Sequence, residues 1–219
     1  MHVGIILDGN RRYAKEKGLL SLQGHLTGVE TVKKLLFEWA PSLVDELTLY
    51  TFSAQNFNRS EKEVSYLMKL FRDYFNKFMS SDDVMDAGIQ VKFIGRLELL
   101  PTDIQDIIKQ VQEKTKDNTK LIVNFAIAYG GREEIIDAIK KVDDIQGLTV
   151  ENFGKYMYLD AEPELIIRTG GARRTSNFLM WQSWYSEWFF LEKFWPAFEK
   201  EDLVAVLDEF KERERRFGK

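Results

Sequence analysis

Asp8-Gly9-Asn10-Arg11-Arg12 sets a carboxylate, a glycine and two guanidinium groups directly after an apolar run at 3–7. A carboxylate at the end of a strand is placed to hold Mg²⁺ against a diphosphate. The N–H groups that open a following helix attract an anion, and Arg11 or Arg12 adds a two-pronged grip on phosphate. The same residues also describe an ordinary strand–turn–helix, with Asp8 as a cap and the arginines at the surface. Farther along, Arg168-Thr169-Gly170-Gly171-Ala172-Arg173-Arg174-Thr175-Ser176 gathers guanidinium groups, glycines and hydroxyls. That mixture is a trap for oxyanions. A solvated charge run does not normally sit between Ile166-Ile167 and Phe178-Leu179-Met180-Trp181, so this segment reads as functional by itself.

Three weaker signals accompany them. His25, after Gly24, is either a cap or packing residue or a donor to a phosphate oxygen. Asn56 and Arg59, in the polar stretch 52–60, read first as turn chemistry and second as groups that orient a polar head. Gly130-Gly131 could cradle a phosphate, but close packing of a helix on the sheet is the preferred reading.

The elements that must position these groups are legible as a pattern. Short apolar runs at 3–7, 47–52, 89–94, 121–127 and 165–167 have the look of strands buried on both faces. Helical patterns occupy 26–40, 60–80, 102–116, 131–141, 149–157, 175–187 and 200–214. Ser60 with Glu63 and Thr102 with Gln105 have the spacing of capping boxes. The alternation predicts an α/β fold: one open, mostly parallel sheet flanked by helices, formed by 1–219 as a single domain. In such sheets ligands bind beyond the carboxyl ends of the strands, where the polar segments above all fall.

Composition narrows the class. The 219 residues are 44% hydrophobic and 30% charged, which supports a sizeable core and excludes a disordered chain. A net charge of −4 argues against a nucleic-acid binder. Without cysteine, and with only His2 and His25 as imidazoles, thiol nucleophiles and Cys- or His-rich metal sites are excluded. No apolar run approaches the roughly 18 residues of a membrane span, and the start reads as a strand rather than a signal peptide. The expectation is a cytoplasmic protein. Asp82-Asp83-Val84-Met85-Asp86 has the form of the magnesium motif of all-helical prenyl synthases, but it lacks a second copy and reads as a solvated loop.

Together the segments resemble the cis-prenyltransferase family, the Z-type isoprenyl diphosphate synthases. His2, Ile6, Asp8, Gly9, Asn10, Arg12 and Ala14 match its opening motif, and His25 its next histidine. Phe52, Ser53, Asn56 and Arg59 match a second, and Asn124, Ala126, Tyr129, Gly130, Gly131 and Arg132 a third. Arg168 to Gly171, Arg174, Ser176 to Leu179, Trp181 and Gln182 match a fourth, followed by Glu187 and a closing Arg-Arg-Phe-Gly at 215–218. The resemblance implies a homodimer that condenses isopentenyl diphosphate with an allylic diphosphate, uses Mg²⁺ and forms a Z double bond. It implies that Asp8 and Glu187 bind the metal and that Asp8, Asn10 and Asn56 serve catalysis. Gly9, Arg11, Arg12, His25 and Arg59 would surround the allylic diphosphate, and Arg168, Arg174 and Ser176 the isopentenyl diphosphate. Val64, Leu67, Met68, Phe71, Phe75 and Phe78, with Tyr66, Leu70 and Tyr74 adjoining, would divide between core and a hydrophobic product tunnel. So many rings predict a short or medium product. A lipid product implies transient membrane contact.

The chain departs from the family pattern at Ala172, where a glutamate is usual, at Arg173, where a histidine is, and at Ser21, where an arginine is. Arg11 stands where a glycine is usual and is read as supplying the charge missing at Ser21. These departures admit two alternatives: irregular, non-head-to-tail coupling of allylic diphosphates, and a catalytically silent partner subunit. Silent subunits typically lose the motif aspartate and arginines, whereas Asp8, Arg12, Arg59, Arg168 and Arg174 are all present.

Overall fold

The structure, a computed structural model, describes residues 1–80 and 83–213. Six strands form one sheet: β1 His2–Ile6, β2 Glu46–Ser53, β3 Ile89–Ile94, β4 Leu121–Tyr129, β5 Leu165–Arg168 and β6 Glu187–Phe190. Their order is β3-β4-β2-β1-β5-β6, and every described pairing is parallel. The helices are α1 Asn10–Glu16, α2 Ser21–Lys34, α3 Glu61–Ser80, α4 Asp83–Asp86, α5 Thr102–Thr115, α6 Gly131–Ile139, α7 Val150–Phe153 and α8 Lys200–Glu212. None of them, among the described residues, is long and apolar enough to cross a membrane.

The strands are apolar on both faces because both are covered. Ile5, Leu49 and Ile167 belong to a core shared with Leu35, Leu36, Phe75, Ile104 and Leu203 from the helices on one side. Their neighbours Ile6, Tyr50 and Ile166 point the other way, onto Leu159, Phe178 and Leu179. This is the two-residue period of a strand, read in the packing. β1 sits between β2 and β5, and the chain builds toward one edge first and the other last. That topology leaves a crevice at the carboxyl end of β1.

Several expectations are corrected. The helix expected at 175–187 is a run of turns followed by β6. Positive φ at Ser176, Asn177 and Leu179 breaks any helix there, and the aromatic stretch that follows suits a strand. The helix expected at 26–40 begins at Ser21, so His25 lies inside it and does not open it. Its last turns widen into a π-helix at Leu35–Trp39 and tighten into a 3₁₀ turn at Ala40–Ser42, where Pro41 cannot donate to the preceding turn. Thr102 and Gln105 form no capping box; Gln105 donates to the carbonyls of Glu98 and Leu100. Residues 83–86 make a helical turn with Val84 buried, not a solvated loop, while Asp82 lies outside the described residues. So do the side chain of Phe78 and the closing motif at 215–218.

Candidate active site

β1 delivers Asp8 to the crevice, and Gly9 turns the chain there at φ 110°; a Cβ would lie 2.7 Å from the Phe194 ring. The two oxygens of Asp8 face different cations. Oδ1 accepts from Arg12 Nη2 at 3.1 Å, and Oδ2 from Arg168 Nη2 at 2.8 Å. Arg168 is nearly buried, with a side chain 4% exposed. Its other prong donates to the Arg174 carbonyl at 2.5 Å and to Ser176 Oγ at 2.6 Å. Arg12 donates to the Gly170 carbonyl at 2.6 Å and lies over the Phe194 ring. The loops after β1 and β5 are thus tied together through one carboxylate.

A second carboxylate organises the opposite wall. Glu63, on the first turn of α3, accepts from Arg59 Nη1 at 2.8 Å and lies 3.7 Å from Arg11 and 3.4 Å from His25 Nε2. Read from sequence as half of a capping box, Glu63 does donate its backbone N–H to Ser60 Oγ at 3.4 Å, but its side chain serves the site. The signal was available: Arg59 and Glu63 are four residues apart, on one side of a helix start. Burial pushes the His25 pKa down, Arg59 and Arg11 add to that, and Glu63 opposes them. His25 is therefore a neutral imidazole at pH 7. Asn56 closes a turn, its Oδ1 accepting from Ser53 N at 3.0 Å. Asn10 donates to the Leu7 carbonyl at 3.0 Å, while its Oδ1 is buried without a partner.

Two cavities meet at Asp8, Asn10, His25, Arg59 and Arg174. One, of about 970 Å³, is walled by Arg11, Arg12, Lys15, Ser21, Gly171 and Ala172. The other, of about 640 Å³, begins at Arg168 and Ser176 and continues between α2 and α3, past Val29, Val32, Leu70, Phe71 and Tyr74. Phe75, stacked on Phe71 at 5.8 Å and edge-on to Phe93 at 4.9 Å, closes its apolar end with Phe125. Leu70 and Tyr74, expected on a face adjoining the core stripe, line the cavity alongside Phe71 and Phe75. The arrangement is a polar mouth rich in arginine over a hydrophobic slot.

The structure does not bring every expected site residue to this mouth. Glu187 begins β6 opposite Leu165, three strand positions from Arg168, or about 10 Å along the sheet. Its carboxylate pairs with Arg213 at 2.8 Å rather than approaching Asp8. Among the described residues no cluster of three acidic or imidazole groups forms a metal cage. Asp8, a lone carboxylate where the cavities join, fits a divalent cation held by one carboxylate and by substrate phosphate oxygens.

The undecaprenyl diphosphate synthase family model matches residues 6–218. A tritrans,polycis-undecaprenyl-diphosphate synthase (geranylgeranyl-diphosphate specific) of Methanopyrus kandleri is 42% identical over 229 aligned positions, covering 100% of this chain and 84% of that protein. An isoprenyl transferase of Fusobacterium nucleatum is 40% identical over 99% of this chain and 95% of its own length. Among solved structures, lavandulyl diphosphate synthase from Lavandula x intermedia, in complex with dimethylallyl diphosphate, superposes with a TM-score of 0.90 at 32% identity. That match covers 100% of this chain and 98% of the other.

Proposed function

The chain belongs to the undecaprenyl diphosphate synthase family of cis-prenyltransferases, and we propose on that premise how it works as a Z-polyprenyl diphosphate synthase. The observation that carries the reading is Asp8 at the junction of two arginine-lined cavities, one of which continues as an apolar slot. One cavity end takes an allylic diphosphate, near Gly9, Asn10, Arg12, His25 and Arg59. Arg168, Arg174 and Ser176 take isopentenyl diphosphate, and the growing hydrocarbon lies between α2 and α3.

Cleavage of the allylic C–O bond leaves negative charge on the departing diphosphate. Arg12, Arg59 and the N–H groups at the start of α1 are placed to stabilise it, and such preorganised donors act most strongly in a site shielded from water. Mg²⁺, held by Asp8, would supply further charge neutralisation at the leaving oxygens. Leu70, Phe71 and Phe75 keep water from the allylic cation. The proton lost from the isopentenyl unit goes to a diphosphate oxygen, and Asn10 Oδ1, buried and unpaired, would accept a hydrogen bond beside it.

Mass analysis of products tests the reading. The purified protein with Mg²⁺ is expected to extend an allylic diphosphate in five-carbon steps only when isopentenyl diphosphate is present. A branched product from dimethylallyl diphosphate alone would instead establish irregular coupling. Ala172 and Ser21 in the larger cavity wall, and the lavandulyl synthase neighbour, are the observations that favour that second reading. The higher identity to polycis synthases favours elongation. Transient membrane contact follows from a lipid product. Exposed Ile136, Ile139, Met180 and Trp184 support a homodimer, since a second copy would cover them.

Two further outcomes are expected. Phe71→Ala opens the slot beside Phe75 and shifts the product distribution to longer chains; an unchanged distribution would show that these rings do not set length. A wild-type product of decaprenyl length or longer would overturn the short or medium expectation. Arg11→Ala is expected to raise the KM for the allylic diphosphate roughly tenfold, the scale of one lost charged hydrogen bond. Arg11 lines the same cavity as Ser21, so restoring the charge with Ser21→Arg in the Arg11→Ala protein should recover that KM.

A further inference from the structure

The loops that follow β2, β4 and β5 meet at one carboxylate outside the cluster around Asp8. Glu133 stands on the first turn of α6, where its Oε1 accepts from Gln55 Nε2 at 3.1 Å and its Oε2 from Asn177 Nδ2 at 2.7 Å. No cation of the described residues lies within ion-pair distance of it. Its two oxygens therefore serve two amides rather than a surface salt bridge. Asn177 is held in place by other atoms. Its Oδ1 accepts from Arg132 N at 2.8 Å, its carbonyl from Gly131 N at 2.7 Å, and its backbone is left-handed at φ 64°. Gly130 makes room for the pair. A Cβ there would lie 2.2 Å from Glu133 Oε2 and 2.6 Å from Asn177 Nδ2.

The two amides belong to different halves of the site. Gln55 precedes Asn56 in the 3₁₀ turn Ala54–Asn58, which leads directly to Arg59. Asn177 follows Ser176, whose hydroxyl receives Arg168. Gln55 and Asn177 both line the slot at its mouth. We propose that Glu133 is a positioning residue that fixes the spacing between the two diphosphate subsites, each of its carboxylate oxygens holding the loop of one subsite. The proposal rests on the prenyltransferase reading above and adds to it the part that sets the reacting carbons at a working distance. Condensation needs those carbons about 3–3.5 Å apart, and a displacement of about 1 Å is costly in rate. Arg168 and Asp8 fix the β5 loop against β1, and Tyr50 of β2 donates to the Ser176 carbonyl at 3.4 Å; Glu133 adds the tie from the β5 loop to the turn that carries Asn56 and Arg59.

A four-variant series tests this. Glu133→Leu removes both acceptors and is expected to lower kcat about tenfold, with KM for each substrate and the melting temperature nearly unchanged. Glu133→Gln keeps an acceptor for Asn177 and a donor that meets Gln55 once the Gln55 amide turns over, so it should stay near wild type. Gln55→Glu sets two carboxylates against each other and should fall as Glu133→Leu does. Combining Gln55→Glu with Glu133→Gln restores a matched pair and should restore activity. The proposal is overturned by wild-type constants in Glu133→Leu, by Glu133→Gln falling as far as Glu133→Leu, or by a double variant no better than Gln55→Glu. If Glu133→Leu does not fold, the Gln55→Glu pair of variants decides alone. A wild-type protein that adds no five-carbon units would overturn the prenyltransferase reading itself, whereas an active wild type with unaffected variants overturns only the bridge.

Discussion

Asp8→Ala is expected to lower the condensation rate by about 10³-fold, at the upper end of what one preorganised charge-stabilising contact supplies. Three functions end together in that variant. The carboxylate that fits a divalent cation at the junction of the cavities is gone, Arg12 loses its contact at 3.1 Å, and Arg168 loses its contact at 2.8 Å. Asp8→Asn separates them. It keeps the shape and one acceptor, turns an amide N–H₂ toward the other guanidinium, and offers a poor ligand to a hard cation. It should be as slow as Asp8→Ala if holding the cation dominates, and intermediate if orienting the arginines does. Single-turnover rates at saturating substrate, with Mg²⁺ titrated, measure this. Retention of more than about a tenth of the wild-type rate in Asp8→Ala would exclude Asp8 as the metal carboxylate. Folding should survive, because Arg168 keeps the Arg174 carbonyl and Ser176 Oγ as acceptors.

How much of this site was legible beforehand depended on whether a residue's partners were close in sequence. The segment from Asp8 to Arg12 carries its own geometry: strand, glycine turn, helix start. The apolar runs of β1 to β5 were equally plain, because a strand covered on both faces has no alternation to misread. The sequence pattern does not show β6, because the helical reading of 175–187 runs up to its first residue and Trp188-Phe189-Phe190 is only a short apolar run after it. The break lies in left-handed backbone at Ser176, Asn177 and Leu179, residues whose types do not announce it. Glu63 reads as a cap because the capping spacing is local, whereas Arg11 and His25 reach it only after α1, α2 and α3 pack together. Glu187 is the opposite case. Its motif setting was clear, yet strand register places it at the far end of β6, against Arg213. Motifs identify residue types; only register and packing decide which of them meet.

Arg168→Lys carries the second large effect, and it follows from shape rather than charge. The guanidinium spans three acceptors, Asp8 Oδ2, the Arg174 carbonyl and Ser176 Oγ, from a nearly buried position. An ammonium is a point charge on a flexible stem and cannot hold that fork. The loop carrying Arg174 and Ser176 would lose its anchor while the charge stays. Activity is expected to fall about 10²-fold, the price of a misplaced binding group, chiefly as a raised KM for isopentenyl diphosphate. The Mg²⁺ requirement should not move, which distinguishes this variant from Asp8→Ala. Because Asp8 and Arg168 are in contact, their effects should not add. In a double-mutant cycle the combined variant should be much less impaired than the product of the two single losses, as residues within one hydrogen-bonded network behave. Full additivity would mean that Arg168 acts on substrate independently of Asp8. The ion pair joining β1 to the β5 loop would then be a structural tie alone, and the link between metal binding and isopentenyl binding would have to run through the substrates themselves.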